Sequence, residues 1–273
     1  MLQWFDMDTI TEFQRKVWSF YKEHRRDLVW RTDITPYNIF ISEVMLQQTQ
    51  VPRIVTKFPP FITRFPNFDS LATAPFKNVL SLWQGIGYNR RAKYLQHAAE
   101  IITNSYNGQL PDDPVLLEKL PGIGKATAAS IVVYAYNKPV PFIETNVRRV
   151  FIHHFFKDKT TVHDKELKPF VEKTMDIENP REWYWALMDY GTWLAKTVPN
   201  PNRKSKHYVK QSSFTGSNRQ LRGKILRQLL DKPYSVQSLV TYLNESQERV
   251  GSVMHQLQGE GFVKEEEGIY SIK

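Results

Sequence analysis

The sequence predicts an all-α fold that ends in a small winged-helix domain. From residue 1 to about residue 177, apolar side chains recur every three or four positions, as in amphipathic helices, and no stretch alternates as a strand. Prolines and glycines lie between these stretches, where helices end and begin. Near the C-terminus, three short helical stretches precede two apolar segments that flank Glu267-Gly268. This order is typical of a winged helix.

Helices are predicted along most of the larger part of the chain. Their ranges are Ile10–Tyr21, Pro36–Gln50, Phe76–Gln84, Arg90–Ile102, Lys125–Tyr136, Asn146–Phe156 and residues 180–195. We expect Pro59-Pro60 to lie between helices, because proline lacks the backbone N–H that an inner helical position donates. We therefore assign residues 1–195 to one large helical domain.

The remaining residues are predicted to form a linker and a second domain. Residues 196–215 are rich in proline, serine and basic residues, which favours an extended basic linker. We assign residues 216–273 to the winged-helix domain. Its predicted elements are helices over Arg219–Asp231, Ser235–Leu243 and Ser246–Gln258, and a β-hairpin over residues 261–273. Such domains bind DNA in many proteins and mediate protein contacts in others.

The charge of the chain points to a polyanionic partner. The 273 residues carry a formal net charge of +9, and the sequence pI is about 9.5. Between Lys196 and Lys232 there are ten lysines or arginines and one acid, a net charge of +9 in that segment alone. A basic segment of this kind is either a solvated linker or a DNA-binding element, and we favour DNA.

Composition excludes several kinds of chemistry. The chain has no cysteine, so disulfides, thiolate zinc sites, cysteine-ligated iron–sulfur clusters and a cysteine nucleophile are excluded. The scattered histidines favour no metal site. There is no run of 18 apolar residues and no basic-then-apolar leader, so we expect a cytoplasmic protein without membrane contact.

A glycine-rich turn between two helices predicts a phosphate-binding element. In Leu120-Pro-Gly-Ile-Gly-Lys-Ala-Thr127, Gly122 and Gly124 let the backbone approach a partner closely. The helix that starts near Lys125 presents unpaired N–H groups to an anion. Shortly afterwards, Glu144 and Asn146 begin another helix, which places a carboxylate where it can face whatever the turn holds.

A second carboxylate, Glu43, lies on a helix whose same face is otherwise apolar. Desolvation there raises the pKa of a carboxyl group and makes it a proton donor near neutral pH. Gln47 and Gln48 follow about one turn later, so amides able to contact a base lie near that acid. The alternative for Glu43 is an ordinary surface glutamate.

Four segments resemble the helix-hairpin-helix (HhH-GPD) DNA glycosylase superfamily, and within it the MutY-like adenine glycosylases. They are Arg26–Arg31, Ser42–Val51, Leu82–Ala92, and Leu120–Gly124 with Glu144–Val150. The glycine-rich turn marks only the superfamily, whereas the Gln47-Gln48-Thr-Gln run after Glu43 favours the adenine branch. The resemblance covers roughly residues 10–200.

This resemblance implies a two-lobed helical fold with a base pocket in the cleft between the lobes. It implies excision of an extrahelical adenine mispaired with guanine or oxidised guanine in double-stranded DNA, with Glu43 protonating adenine N7. Glu43 and Glu144 would divide the work as proton donor and stabiliser of the sugar cation. The resemblance also implies roles for seven other residues. Gln48 and Tyr88 would enter the duplex, Arg31 and Asp189 would line the base pocket, and Gly122, Gly124 and Lys125 would hold the phosphate backbone.

The chain departs from the family pattern in three places, and a further position, Ala126, distinguishes it from bifunctional members. Glu144 stands where the family has aspartate, and the extra methylene moves the carboxylate by about 1.5 Å. The stretch 195–205 has no cysteine, so the usual iron–sulfur cluster cannot form. The C-terminal domain is too short for the Nudix-like domain that relatives use for oxidised guanine. Ala126 replaces the lysine of bifunctional members, which predicts a monofunctional enzyme without strong lyase activity.

Three functions stay open on the sequence. The first is adenine excision, the second is excision of hypoxanthine, uracil or thymine, and the third is non-catalytic binding of a DNA structure. We expect a monomer with no cofactor, except that backbone carbonyls of residues 120–124 are a plausible site for a monovalent cation.

Overall fold

The computed structural model describes residues 7–209 and 214–273, and its mostly helical architecture confirms the predicted fold class. The described residues divide into two compact units, one of residues 7–43 and 111–209 and the other of residues 44–110 and 214–273. Residues 210–213 of the predicted linker lie outside the described residues. The predicted domain boundaries stay predictions.

Fifteen helices and three short strands make up the described chain. The helices are α1 (Met7–His24), α2 (Val29–Thr32), α3 (Pro36–Leu46), α4 (Val51–Arg64), α5 (Phe68–Ala72), α6 (Phe76–Trp83), α7 (Arg90–Tyr106), α8 (Pro114–Leu117), α9 (Lys125–Tyr136), α10 (Thr145–Phe155), α11 (Asp164–Thr174), α12 (Pro180–Thr197), α13 (Asn218–Asp231), α14 (Val236–Leu243) and α15 (Gln247–Gly259). The strands are β1 (Tyr234–Ser235), β2 (Val263–Glu266) and β3 (Ile269–Ile272), and a short 3₁₀ helix spans Pro201–Lys204.

The first unit is built around an aromatic core between α1, α10 and α12. Helix α10 packs along α12, and α1 packs against α11 and α12. Phe13, Phe151 and Trp183 meet at the centre, with ring centroids 5.3 and 6.1 Å from Phe13. All three are almost fully buried. Large buried aromatic rings contribute strongly to stability, so this core holds α1, α10 and α12 together.

The second unit joins α4–α7 to the C-terminal helices and sheet. Leu80 of α6 lies in the same buried cluster as Leu221, Val253 and Phe262. The sheet order is β1-β3-β2, with both pairs antiparallel. The predicted turn at Glu267-Gly268 is confirmed, since both residues have positive φ, as a two-residue type I′ hairpin turn requires.

The expectation that Pro59-Pro60 separates helices is wrong, because both prolines lie inside α4. Helix α4 has a strong apolar stripe, and its residues Ile54, Phe58 and Phe61 are buried. The carbonyl groups that lose their helical donors belong to residues 55 and 56, which are exposed to water. Burial of the stripe outweighs the local cost. The predicted Pro36–Gln50 helix is also shorter than expected, since α3 ends at Leu46.

The described part of the basic linker is ordered against the first unit. Its 3₁₀ helix packs against α10. Val162 N donates to Lys204 O at 2.8 Å, and Lys206 N donates to Val162 O at 3.0 Å. Asn202 is buried there. Across residues 7–209 and 214–273, no helix is long and apolar enough to cross a membrane.

Candidate active site

The two predicted catalytic carboxylates, Glu43 and Glu144, lie in the same unit and interact electrostatically. Glu43 is near the C-terminal end of α3, and its Oε2 accepts a hydrogen bond of 2.6 Å from the Ser130 hydroxyl. Ser130 is buried on α9, the helix that follows the glycine-rich turn. The motif that contains Glu43 and the motif that contains Glu144 are therefore close together in the fold, although they are far apart in the sequence.

The environment of Glu43 raises its pKa to about 7, from an ordinary value of 4.5. Burial is the largest cause, and repulsion from the nearby Glu144 adds to it. The Ser130 hydrogen bond and the positive charge of Arg31 act in the opposite direction. Because part of the side chain stays accessible, a molecule in the site can take up the proton that Glu43 retains near neutral pH.

Glu144 is the N-cap residue of α10. Its Oε1 accepts the backbone N–H groups of Asn146 at 2.5 Å and Val147 at 2.8 Å. Glutamate is a less common N-cap than aspartate, and the longer side chain has to fold back on its own helix to make these bonds. The extra methylene is thus taken up in the cap, and the carboxylate lies at the positive end of the helix dipole.

Burial raises the pKa of Glu144 above its ordinary value, but several groups oppose this shift. They are the two backbone N–H groups and the charges of Arg148 and Arg149. A carboxylate that accepts backbone N–H bonds is stabilised in its ionised form. Glu43 accepts a hydrogen bond from the Ser130 hydroxyl, whereas Glu144 accepts hydrogen bonds from two backbone N–H groups and lies at the positive end of the α10 dipole. The two environments therefore favour a protonated Glu43 beside an ionised Glu144.

Asn146 connects Glu144 to α12. Its Nδ2 lies 3.4 Å from Glu144 Oε2, and its Oδ1 accepts from Arg149 Nη1 at 2.7 Å. Arg149 also donates to the carbonyl of Gly191 at 2.8 Å. Helix α12 approaches so closely that a Cβ on Gly191 would lie 2.6 Å from both Cβ and O of Asn146. A glycine at position 191 is therefore required for this packing.

The basic loop also holds the start of α10. Asn202 Nδ2 donates to the carbonyl of Thr145 at 2.9 Å, directly after the N-cap residue Glu144. The family resemblance places an iron–sulfur loop in this region, and this chain has no cysteine to hold one. A side-chain amide here fixes the loop to the helix that carries Glu144.

Arg31 and Asp189, predicted to line the base pocket, form a buried ion pair. Arg31 donates to both carboxylate oxygens of Asp189, at 2.8 and 2.9 Å, and the two residues are 5% and 3% exposed. Arg26 adds bonds from Nε at 2.6 Å and from its backbone N–H at 3.0 Å. The guanidinium of Arg31 lies over Trp185, 5.2 Å from the ring centroid. The pair is rigid, and its role in base binding stays a prediction.

Two site residues, Ser130 and Tyr134, were not predicted from the sequence. With Ala126 they follow the i, i+4, i+8 spacing that places residues on one face of α9. Tyr134 is buried, and its hydroxyl has no hydrogen-bond partner among the described residues. Burial, together with the nearby Glu43 and Glu144, raises its pKa well above the ordinary value. Their spacing from Ala126 along the helix is the sequence signal that could have identified them.

The glycine-rich turn has the geometry that its sequence predicts. Gly122 has φ +76°, a conformation that favours glycine, and Gly124 is the N-cap of α9. A Cβ on Gly124 would meet nothing within 4 Å, so the turn is open to a partner there. Lys125 is exposed at the first turn of α9. Phosphate binding at this turn stays a prediction.

Gln47, Gln48 and Tyr88 belong to the second unit. Gln48 and Tyr88 are exposed and have φ of 52° and 48°, in the left-handed region that non-glycine residues seldom adopt. Arg91 holds both turns, with bonds to Val44 O at 2.7 Å, Met45 O at 2.9 Å and Gly87 O at 3.2 Å. Exposed residues whose strained backbone conformation is held by the surrounding structure are often found at functional sites.

Among residues 7–209 and 214–273, no group of three or more histidine, aspartate or glutamate side chains is placed to hold a metal ion.

Gly191→Ala tests the contact between α12 and Asn146. The new Cβ would overlap backbone and side-chain atoms of Asn146, so we expect the free energy of unfolding to fall by about 1–3 kcal/mol. Urea denaturation followed by circular dichroism measures it. Gly251→Ala is the matched control, since a Cβ in that helix meets nothing within 4 Å, and it should leave stability unchanged or raise it slightly. Equal stability of the Gly191 variant and the native protein would contradict the packing.

The chain is similar to known DNA repair proteins. The profile of the HhH-GPD superfamily of base excision DNA repair proteins matches residues 41–173. The adenine DNA glycosylase of Buchnera aphidicola subsp. Baizongia pistaciae is 33% identical over 201 residues, 72% of this chain and 56% of the relative. That of Buchnera aphidicola subsp. Acyrthosiphon pisum is 37% identical over 184 residues, 66% and 52% respectively. The chain thus spans about half the length of the curated relatives it matches.

A solved structure supports the same fold. A thermostable thymine-DNA glycosylase superposes with a TM-score of 0.60 at 24% sequence identity, over 67% of this chain and 86% of the other. The matched profile includes both Glu43 and Glu144. The profile match therefore places residues 41–173, just under half of the chain, in the HhH-GPD superfamily of base excision DNA repair proteins.

Proposed function

We propose that this protein is a DNA glycosylase that releases a flipped-out base, most specifically an adenine mispaired with guanine or oxidised guanine. The observation that carries the proposal is the pair of carboxylates in unequal environments, Glu43 with its pKa raised to about 7 and Glu144 bonded to two backbone N–H groups. The similarity to curated adenine DNA glycosylases supports adenine as the base.

The two carboxylates supply the two needs of N-glycosidic bond cleavage. Protonated Glu43 gives its proton to N7 of the adenine, and the electron pair of the C1′–N9 bond then leaves with the neutral base. The negative charge of Glu144 stabilises the sugar cation that this leaves behind. Water adds to C1′ and loses a proton, which yields an abasic site and free adenine.

Other residues of the first unit form the surroundings of that reaction. Tyr134 keeps its hydroxyl proton at neutral pH, so it is available as a hydrogen-bond donor beside the two carboxylates. The fixed Arg31–Asp189 pair and Trp185 would form one wall of the base pocket. Asn146 would keep Glu144 oriented through the cap of α10.

DNA is the proposed partner. Base flipping costs a few kcal/mol of stacking and pairing energy, which contacts elsewhere must offset. We assign that role to Gln48 and Tyr88 entering the duplex, with Gln47 beside them, and to phosphate contacts at Gly122, Gly124 and Lys125. The protein would act as a monomer. A monovalent cation held by backbone carbonyls of residues 120–124 would strengthen the phosphate contact.

We further propose that the enzyme cleaves the base and not the strand. Strand cleavage by this superfamily's bifunctional members needs a lysine on the face of α9 that here carries Ala126, Ser130 and Tyr134. Alanine cannot form a Schiff base. Lys125 is rotated by about 100° from Ala126 around the helix, so it points away from that face.

Base release from a panel of duplexes tests the proposed function. The duplexes carry A·G, A·8-oxoguanine, I·T, U·G or T·G pairs, and alkaline cleavage reports the abasic product. We expect release of adenine, and we expect Glu43→Gln to lower the single-turnover rate about 10²–10⁴-fold, the usual contribution of a general acid. Glu23→Gln, an exposed glutamate on α1, is the control and should retain full activity.

Three other results of this assay would each change the proposal. Release from only the I·T, U·G or T·G duplexes would replace adenine by a deaminated or mismatched base. Tight binding without release from any duplex would overturn the enzymatic proposal in favour of a DNA-structure binder. Strand breaks without alkali, lost on mutation of one lysine, would overturn the monofunctional assignment.

The pH dependence of base release tests the role of Glu43. The acid must be protonated, so the single-turnover rate should fall as pH rises through about 7, and it should also fall at low pH as Glu144 becomes protonated. Ser130→Ala removes the donor that favours ionised Glu43, so the basic limb should move to higher pH. Ser252→Ala, on the exposed side of α15, is the control. An unchanged basic limb in the Ser130 variant would refute this assignment.

A further inference from the structure

The C-terminal domain has an unusual distribution of charge for a winged helix that binds DNA. Residues 214–232, which contain α13, carry five lysines or arginines and one acid, a net charge of +4. Residues 244–273, which contain α15 and the β2–β3 wing, carry three lysines or arginines and six acids, a net charge of −3. The elements that usually contact DNA in this architecture are therefore the acidic part of the domain.

Local pairing reinforces this distribution. Helices α14 and α15 form the helix-turn-helix, in which the second helix normally enters the major groove. The single arginine of α15, Arg249, donates to Glu245 at 2.6 Å. In the wing, Lys264 pairs with Glu266 at 2.8 Å, and Glu265 and Glu267 add further negative charge. Phosphates would be repelled from this side.

Helix α13 is basic, in contrast to α15 and the wing. Its buried side is apolar, with Leu221, Ile225 and Leu229 in the core. Arg219, Gly223 and Arg227 follow the i, i+4, i+8 spacing along another side, and Lys224 and Arg227 are exposed. A Cβ on Gly223 would meet nothing within 4 Å, so a chain can approach the helix closely between the two arginines. We call Arg219, Gly223, Lys224 and Arg227 the α13 stripe, which is about 12 Å long.

The α13 stripe begins beside Tyr88, the residue proposed to enter the duplex. Arg219 Nη1 donates to the Tyr88 hydroxyl at 3.3 Å, and both residues belong to the same unit. Lys57 lies against the same turn, its Nζ 3.9 Å from the position of a Cβ on Gly85. Positive charge therefore flanks the turn that carries Tyr88 and continues along the C-terminal domain.

The domain is held firmly in this place. Glu260, at the end of α15, accepts hydrogen bonds from Arg90 of α7 and Arg222 of α13, and Lys93 of α7 donates to its backbone carbonyl. Leu80 of α6 shares the buried cluster of the C-terminal helices. The position of the stripe relative to Tyr88 is thus set by these contacts.

We propose that the α13 stripe is a DNA-backbone-binding surface, and that the winged helix binds DNA through this helix instead of through α15 and the wing. This inference rests on the proposed function, since it takes Tyr88 as the point where the duplex is entered. The stripe would hold the phosphates that adjoin the flipped base, through Arg219 next to Tyr88 and through Lys224 and Arg227 further along the helix. Binding would be independent of sequence, because phosphates carry no base information.

Equilibrium binding of the full-length protein to a labelled undamaged duplex, measured at several salt concentrations, tests the proposal. The test variant is Lys224→Gln/Arg227→Gln, which changes two exposed side chains outside the core. The slope of log affinity against log salt is negative, and each lost phosphate contact reduces its magnitude by about 0.9. The double variant should therefore reduce this magnitude by about 2 and weaken binding roughly 30-fold at 0.15 M salt. The control is Lys264→Gln/Lys273→Gln, with the same charge change on the wing side, and its slope should match that of the native protein.

The outcomes separate this inference from the proposed enzymatic activity. Native affinity and slope in the α13 variant, or an equal loss in the wing variant, would overturn the inference even if adenine is released normally. Weaker binding by the α13 variant alone would support the stripe even if no base were released from any duplex. Circular dichroism of each variant shows that the fold is retained.

Discussion

The electrostatic interaction between Glu43 and Glu144 is the constraint on which the site depends. Two carboxylates that repel one another in a largely buried site do not ionise equally, and the local donors decide which one keeps the charge. Among the described residues, Glu144 accepts bonds from two backbone N–H groups at the start of α10, whereas Glu43 accepts a bond from the Ser130 hydroxyl and lies near the charge of Arg31. In the proposed function, these unequal surroundings would make one carboxyl group the proton donor and the other the anion that glycosidic cleavage needs.

The geometry of that pair depends on how α10 is held. Gly191 allows α12 to pack directly on Asn146, and Asn202 bonds to Thr145 from a loop that has no cysteine. The family resemblance would place an iron–sulfur cluster in this loop. Here hydrogen bonds and packing keep the loop against the start of α10, so the longer Glu144 side chain meets a helix end whose position is fixed. The glutamate at position 144 and the loop without cysteine thus both lie at the start of α10.

The sequence predicted most helices because their apolar periodicity and their flanking prolines and glycines agreed, as at α9, whose observed ends match the prediction. It failed at α4, where burial of Phe58 and Phe61 overrides the local effect of two prolines. Motifs predicted Glu43 and Glu144 as the catalytic pair, which stays a prediction, and the structure brings the two carboxylates close enough to interact electrostatically. Ser130 and Tyr134 were not predicted. Ser130 of α9 belongs to the site because it donates a hydrogen bond to Glu43 of α3, and the sequence alone does not show that these two distant segments meet. The capping role of Glu144 was likewise hidden, since glutamate is not a typical N-cap.

The pKa of Glu43 in solution is the most direct test of whether Glu144 and burial keep Glu43 protonated near neutral pH. Titration of ¹³C-labelled glutamate carboxyl groups by NMR gives it, with Glu43→Gln identifying the resonance and Glu144→Gln removing the neighbouring charge while keeping an acceptor for the α10 cap. We expect a pKa of about 7 for Glu43 in the native protein and a lower value in the Glu144 variant, because repulsion between the two groups is lost. A native value near the ordinary 4.5, unchanged in the Glu144 variant, would contradict it.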